Sequence, residues 1–128
     1  MHNLKKYMFK IVNNTFHVTR GDFGVITVKF KDGSVLPEGA DVSFGVYRKN
    51  ELDSEPVIWA SQSVSSGETS INLSISSSQT FDMENPENGR EEYWYELKVG
   101  PEHTVLGYDE TGPKIFYLYP SGKAFEPI

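Results

Sequence analysis

The 128 residues fit one domain, 1–128, and a chain of this size buries roughly two-thirds of its unfolded surface, enough for a core without disulfide staples. Eighteen acidic against twelve basic residues leave a net charge of -6, which repels a phosphate backbone and excludes nucleic acid as an expected partner. With no cysteine, neither a disulfide framework nor thiol chemistry is open to the chain, which suits maturation in a reducing cytoplasm, and 13% aromatic residues promise an aromatic-rich core.

Lys5 and Lys6 look like the charged start of a secretory leader, but Lys10 and Asn13-Asn14 interrupt the apolar stretch behind them, so no signal peptide is expected. No run approaches the roughly eighteen apolar residues of a spanning helix, so a soluble chain with no membrane partner is expected.

Tyr7, Phe9 and Ile11 alternate with Met8 and Lys10, Asn13-Asn14 supplies a turn, and Phe16 to Thr19 is extended again: an opening hairpin or a kinked edge strand. After the Arg20-Gly21-Asp22 turn, Ile26, Val28 and Phe30 share one face of a strand that Asp32-Gly33 ends. Val42, Phe44 and Val46 define the next strand, and Pro56 admits a short one through Val57 to Ala60. Ile71, Leu73 and Ile75 alternate with Ser70, Asn72, Ser74 and Ser76, giving a strand solvated on one side. The turn-rich segment from Asp82 to Arg90 is expected to be an exposed, mobile loop. Beyond it, Tyr93, Tyr95, Leu97 and Val99 alternate with Trp94, Glu96 and Lys98 in the clearest strand of the chain. Tyr93 reads as a core aromatic or as a corner tyrosine bonding back across the sheet connection. Thr104 to Tyr108 and Lys114 to Tyr119 suggest a closing hairpin around 109–113. No segment carries a helical stripe. About seven or eight short strands divided by turns predict an all-β chain, an immunoglobulin-like antiparallel β-sandwich, with a barrel as the alternative closure.

Chemistry is sparse along this scaffold. Arg20-Gly21-Asp22 spells the tripeptide that integrins read, yet the plainer reading is a turn in which Asp22 accepts backbone N–H bonds. Asn13-Asn14-Thr15 and Asn72-Leu73-Ser74 match glycosylation acceptors and are expected to be silent without a leader. Asp82, Glu84, Asn88 and Gly89 superficially suggest a calcium loop, but Pro86 takes a ligand position and the glycine comes too late. Glu91, Glu92, Glu96, Asp109 and Glu110 invite comparison with a glycosidase pair, but strand neighbours point to opposite faces and loop carboxylates are ordinarily solvated. His2, His17 and His103 are too scattered for a local metal motif. No enzyme, cofactor site or metal site is expected. Trp59, Trp94, Tyr108, Phe116, Tyr117 and Tyr119 exceed what one sandwich face needs, so some must be partly exposed. Trp59, Trp94 and Tyr108 are the partner-contact candidates. Trp94, on the opposite face from Tyr93 and Tyr95, either is an anchor or covers a loop or lies under a neighbouring strand.

Three pieces in order carry a resemblance: Phe16-His17-Val18-Thr19-Arg20-Gly21-Asp22 before a strand, Glu92-Tyr93-Trp94-Tyr95-Glu96-Leu97, and Tyr117-Leu118-Tyr119-Pro120-Ser121-Gly122-Lys123. Together they resemble the N-terminal domain of upper baseplate proteins from tailed phages of Gram-positive bacteria. The resemblance implies an immunoglobulin-like sandwich that docks other phage tail or baseplate proteins, with no catalytic residue to carry over. It also implies a virion part assembled in the bacterial cytoplasm, for which a homo-oligomer of tail symmetry is expected. The chain departs from that pattern in its long 82–90 loop and in ending at Ile128, before a helical or linker region. The rival expectation is a carbohydrate-binding module that stacks sugars on Trp59, Trp94 or Tyr108.

Overall fold

A computed structural model describes residues 9–101 and 103–122. Its elements are β1 (Lys10–Val12), β2 (Thr15–Thr19), β3 (Gly24–Val28), β4 (Asp41–Arg48), β5 (Ile58–Ser63), β6 (Ile71–Ile75), α1 (Ser77–Phe81), β7 (Glu91–Val99), β8 (Thr104–Leu106) and β9 (Ile115–Tyr119). A seven-stranded sheet runs in the order β1-β2-β9-β7-β4-β5 with β8 also against β7, and a two-stranded sheet pairs β3 with β6. The result is an all-β sandwich of nine strands among the described residues, two more than the lower sequence count, and its open sheet order removes the barrel. Tyr7, Met8, His2 and Lys123 lie outside the described residues.

Period-two burial builds the core. Phe16, Val18, Val42, Phe44, Val46, Tyr95, Leu97, Phe116 and Leu118 face inward from the large sheet, and Ile26, Val28, Ile71, Leu73 and Ile75 meet them from the small one. At its centre Phe16 lies between Phe44, Tyr95 and Phe116, with ring centroids 4.8 to 5.8 Å away. β6 keeps the strict in-out alternation that its serines and asparagine promise. Strand β4 does not, because Ser43, Gly45 and Tyr47 are buried too: neighbouring strands and side chains cover both of its faces.

The opening hairpin forms as β1 and β2, with Asn13 and Asn14 at φ 49° and 65°. Two successive left-handed residues make the turn whose twist suits a two-residue hairpin, and asparagine tolerates them. From there the chain departs from the antiparallel expectation, since β2 runs parallel to β9, Phe16 opposite Phe116 and Thr19 opposite Tyr119. Residue alternation fixes a strand's faces and carries nothing about its direction, so this pairing leaves no local trace.

The expected closing hairpin is also absent. β8 and β9 pair with β7 instead, β8 at Leu97 and Lys98 and β9 along Glu91 to Trp94. The turn residues between them close a loop on itself rather than reversing the chain: Asp109 and Gly112 exchange backbone bonds, and the Lys114 ammonium binds the Gly107 carbonyl and the Asp109 carboxylate. The chain therefore turns back on β7 as β8, makes this excursion, and continues in the same direction as β9, both strands antiparallel to β7.

One short helix, α1, was not signalled by hydrophobic periodicity, because five residues are too few to show it. Its signal is a capping box: the Gln79 N–H donates to Ser76 Oγ while the Gln79 side chain accepts from the Ser76 N–H. The fully buried Thr80 hydroxyl of α1 accepts from the Gly21 N–H at 2.8 Å and donates to the Asp22 carbonyl at 2.7 Å. The 82–90 loop is exposed at residues 87–90, but its root is held down by buried Met83 and by Asn85, which exchanges two bonds with the Ser121 backbone.

Of the two tyrosines that share the inner face of β7, Tyr93 packs edge-on against Phe116 and its hydroxyl makes no hydrogen bond among the described residues, as a core aromatic does. It is Tyr95 whose hydroxyl donates to the Asn14 carbonyl in the first hairpin. Burial pushes the Tyr95 phenol up to about 12. The native state thus keeps a proton that the unfolded chain releases near its ordinary value of about 10, so stability is unaffected below about pH 10 and falls as pH rises toward about 12. Tyr95→Phe has no such proton, and its urea-measured stability is expected to fall less steeply with pH across that window. An equal slope in both proteins counts against this assignment.

Candidate interaction face

Register determines which side chains share the outer surface of the large sheet. Val42, Phe44 and Val46 point inward from β4, so Ser43, Gly45 and Tyr47 point outward. Directly opposed residues share a face: Gly45 opposes Trp59 and Glu96, Tyr47 opposes Trp94, Trp94 opposes Ile115, Glu92 opposes Tyr117, and Tyr117 opposes His17. Trp59 and Trp94 therefore stand on one surface, and Tyr108 joins them by packing on the Trp94 ring at 5.5 Å between centroids. All three sequence candidates fall on the same side of the molecule.

Their exposures differ, and the difference assigns their roles. Tyr108 is 59% and Trp59 49% exposed, whereas Trp94 is only 9% exposed. The reading of Trp94 as an exposed anchor is corrected: Tyr108 covers its ring and its indole N–H is spent on Glu92 at 2.9 Å, so it is the floor under Tyr108. Between them and Trp59 lies Tyr47, whose ring crosses Gly45 so closely that a Cβ there would sit 2.8 Å from the phenol oxygen. Gly45 is thus the space that lets Tyr47 lie flat. Burial raises the Tyr47 phenol above its usual value, and the carboxylates of Glu96 and Glu55 add to the shift. Tyr47 is a neutral donor at physiological pH.

Toward β2 the face becomes cationic. Arg90 stacks its guanidinium 3.7 Å above the Tyr117 ring and donates to the Tyr119 hydroxyl, which also bonds His17 Nδ1 at 2.9 Å. Glu96 and Lys98 form an ion pair at 3.7 Å. Aromatic rings rimmed by charges of both signs are the composition of a protein contact patch, since Tyr, Trp and Arg supply much of the binding energy at such surfaces. Sequence reading missed Tyr47, although its odd position in a strand whose even positions are apolar would have placed it outside.

The remaining motifs go elsewhere. Arg20 stacks on Phe81 at 4.0 Å, donates from Nε to the Met83 carbonyl at 2.8 Å and from Nη1 to Ser121 Oγ. Gly21 turns at φ 95°, and the Asp22 carboxyl is raised by burial against a lowering bond from the Thr19 backbone. The tripeptide is a structural corner whose guanidinium is already engaged. Asp109 accepts from the Thr111 hydroxyl and N–H and from Lys114, which hold its carboxyl down to about 2. It is ionised at neutral pH and has no proton to donate. Glu91 and Glu92 are adjacent on β7 and leave by opposite faces, Glu92 toward Trp94. His17 lies against Tyr117 and Tyr119, while His103 meets Phe30 edge-on, so the structure does not bring the two histidines together. No described helix is long and apolar enough to cross a membrane. In comparisons with known proteins, no family model matches the chain and no curated protein matches it as a relative.

Proposed function

We propose that the chain is a non-catalytic adaptor module of a phage or prophage tail baseplate, which docks other tail proteins on the outer face of its large sheet. The observation that carries this reading is the convergence of Trp59, Tyr47, Trp94 and Tyr108 on one surface, with Trp59 and Tyr108 half-exposed over a buried floor. A contact patch of this kind needs rigid rings held in place from beneath, and β-ladder pairing supplies that rigidity. The immunoglobulin-like reading is supported by the strand order. β9, β7 and β4 are neighbours as strands G, F and C are, and β3 pairs with β6 as B does with E. The virion location and assembly in the bacterial cytoplasm follow the same reading. The carbohydrate-binding alternative would use the same exposed rings for stacking on sugars.

The test separates the two. Tyr108→Ala and Trp59→Ala proteins that retain the wild-type far-UV spectrum are expected to lose at least tenfold in affinity for a purified neighbouring tail protein, as hot-spot truncation does at roughly 1.4 kcal/mol or more. Unchanged affinity in both variants would reject the face. Binding to a glycan array that is abolished by the same substitutions would move the conclusion to the carbohydrate reading.

A further inference from the structure

We infer that the outer edge of β5 is a strand-pairing site for a second copy of this chain, joining two large sheets edge to edge around a two-fold axis. The observation is the backbone of β5. The Val64 N–H donates to the Ala40 carbonyl, which makes the even residues of this ladder the bonded ones and turns the N–H and C=O groups of Trp59, Ser61 and Ser63 away from β4. Among the described residues, those outward groups meet one partner, the Gln79 side-chain amide on the Trp59 carbonyl. The edge borders a depression of about 240 Å³ shared with Asn72, Leu73 and Ser74 of the other layer, and Trp59, Ser61, Gln62 and Ser63 are all exposed there.

Open edges are ordinarily guarded by lysine, proline or shortness. β1 is three residues long and carries Lys10. β5 is six residues long, and from Val57 to Gly67 the chain holds no charged residue and no proline. In a molecule of net charge -6, that is the edge along which two copies approach without facing like charges. Side-chain size agrees. With Ser61 on the axis, Trp59 of each copy stands opposite Ser63 of the other, a large ring against a small residue, and both rings continue the aromatic outer face across the junction. A self-complementary strand of this kind generates the closed two-fold pair. The inference rests on the backbone of the edge and not on the tail-protein reading of the face.

Analytical ultracentrifugation of the whole chain over a wide concentration range tests it, together with amide hydrogen exchange. The wild type is expected to dimerise, with Trp59, Ser61 and Ser63 amides gaining protection as concentration rises. Ser61→Pro removes one outward N–H per copy without touching the ladder to β4, and should weaken the dimer about a hundredfold, tenfold for each lost bond. Ser61→Lys places two like charges across the axis and should also give a monomer; it serves if the proline variant fails to fold. A wild type that stays monomeric at every concentration overturns the inference. So does a dimer that survives in a folded Ser61 variant, or one lost in Tyr108→Ala and kept in Ser61→Pro, which would assign association to the aromatic face.

Discussion

Phe116→Ala is expected to destabilise the domain by roughly 3–5 kcal/mol, the upper range for a buried aromatic, because the site has little means of collapsing. Phe116 is wholly buried on β9, directly opposite Phe16 on one side and Tyr93 on the other, so both neighbours are fixed by backbone ladders. Its ring stacks on Phe16 at 5.8 Å and is met edge-on by Phe9 at 6.1 Å and Tyr93 at 6.4 Å. Removing it leaves a void walled by rings from three parts of the chain, and two of them, Phe16 and Tyr93, cannot move inward without breaking the sheet bonds of β2 and β7. A small domain holds only about 5–15 kcal/mol in total, so the variant should be partly unfolded at physiological temperature. Urea titration at neutral pH reads the effect directly. A loss near half a kcal/mol, the size of a surface change, would mean that the parallel β2-β9 pairing does not enclose this side chain.

That pairing also marks what the sequence could reveal. Burial faces were legible wherever one side of a strand met water, as in β6, where Ile71, Leu73 and Ile75 point in and Asn72 and Ser74 point out. The all-β class follows from such stretches, and the Asn13-Asn14 turn follows from residues that accept left-handed backbone. What failed depends on partners distant in the chain. Thr104 to Tyr108 and Lys114 to Tyr119 look like two arms of a hairpin, because Asp109, Gly112 and Pro113 are turn residues whether the chain reverses or only loops out. Pairing of both segments with β7 decides between the outcomes, the Lys114 side chain clasping the looped-out turn through Gly107 and Asp109, and no periodicity records either. The candidate face was half legible for the same reason. Alternation put Trp94 on the outer side of β7, but only the position of Tyr108, carried there by the looped-out segment, shows that the indole is covered.

Leu73→Ala is expected to cost roughly 2–5 kcal/mol and, unlike Phe116→Ala, to change how the molecule unfolds as well as when. Among the described residues β6 has one backbone neighbour, β3, and a two-stranded sheet is marginal by itself. The small layer is therefore held to the large one through side chains, and Leu73, 2% exposed and opposite Ile26, is the middle of the three β6 residues that make the contact. Truncating it weakens the adhesion of a whole layer while leaving the β3-β6 ladder intact. If the layer loosens before the large sheet melts, the denaturant slope m should fall below that of the wild type, since less surface remains to be exposed in the main transition. Phe116→Ala, inside the large sheet, should lower the midpoint at unchanged m. Hydrogen exchange gives the same contrast by residue, with faster exchange confined to β3 and β6 in Leu73→Ala. Equal m values in the two variants, with exchange accelerated throughout the chain, would show instead that the two layers unfold as one unit and that the small sheet draws its stability from more than this row of side chains.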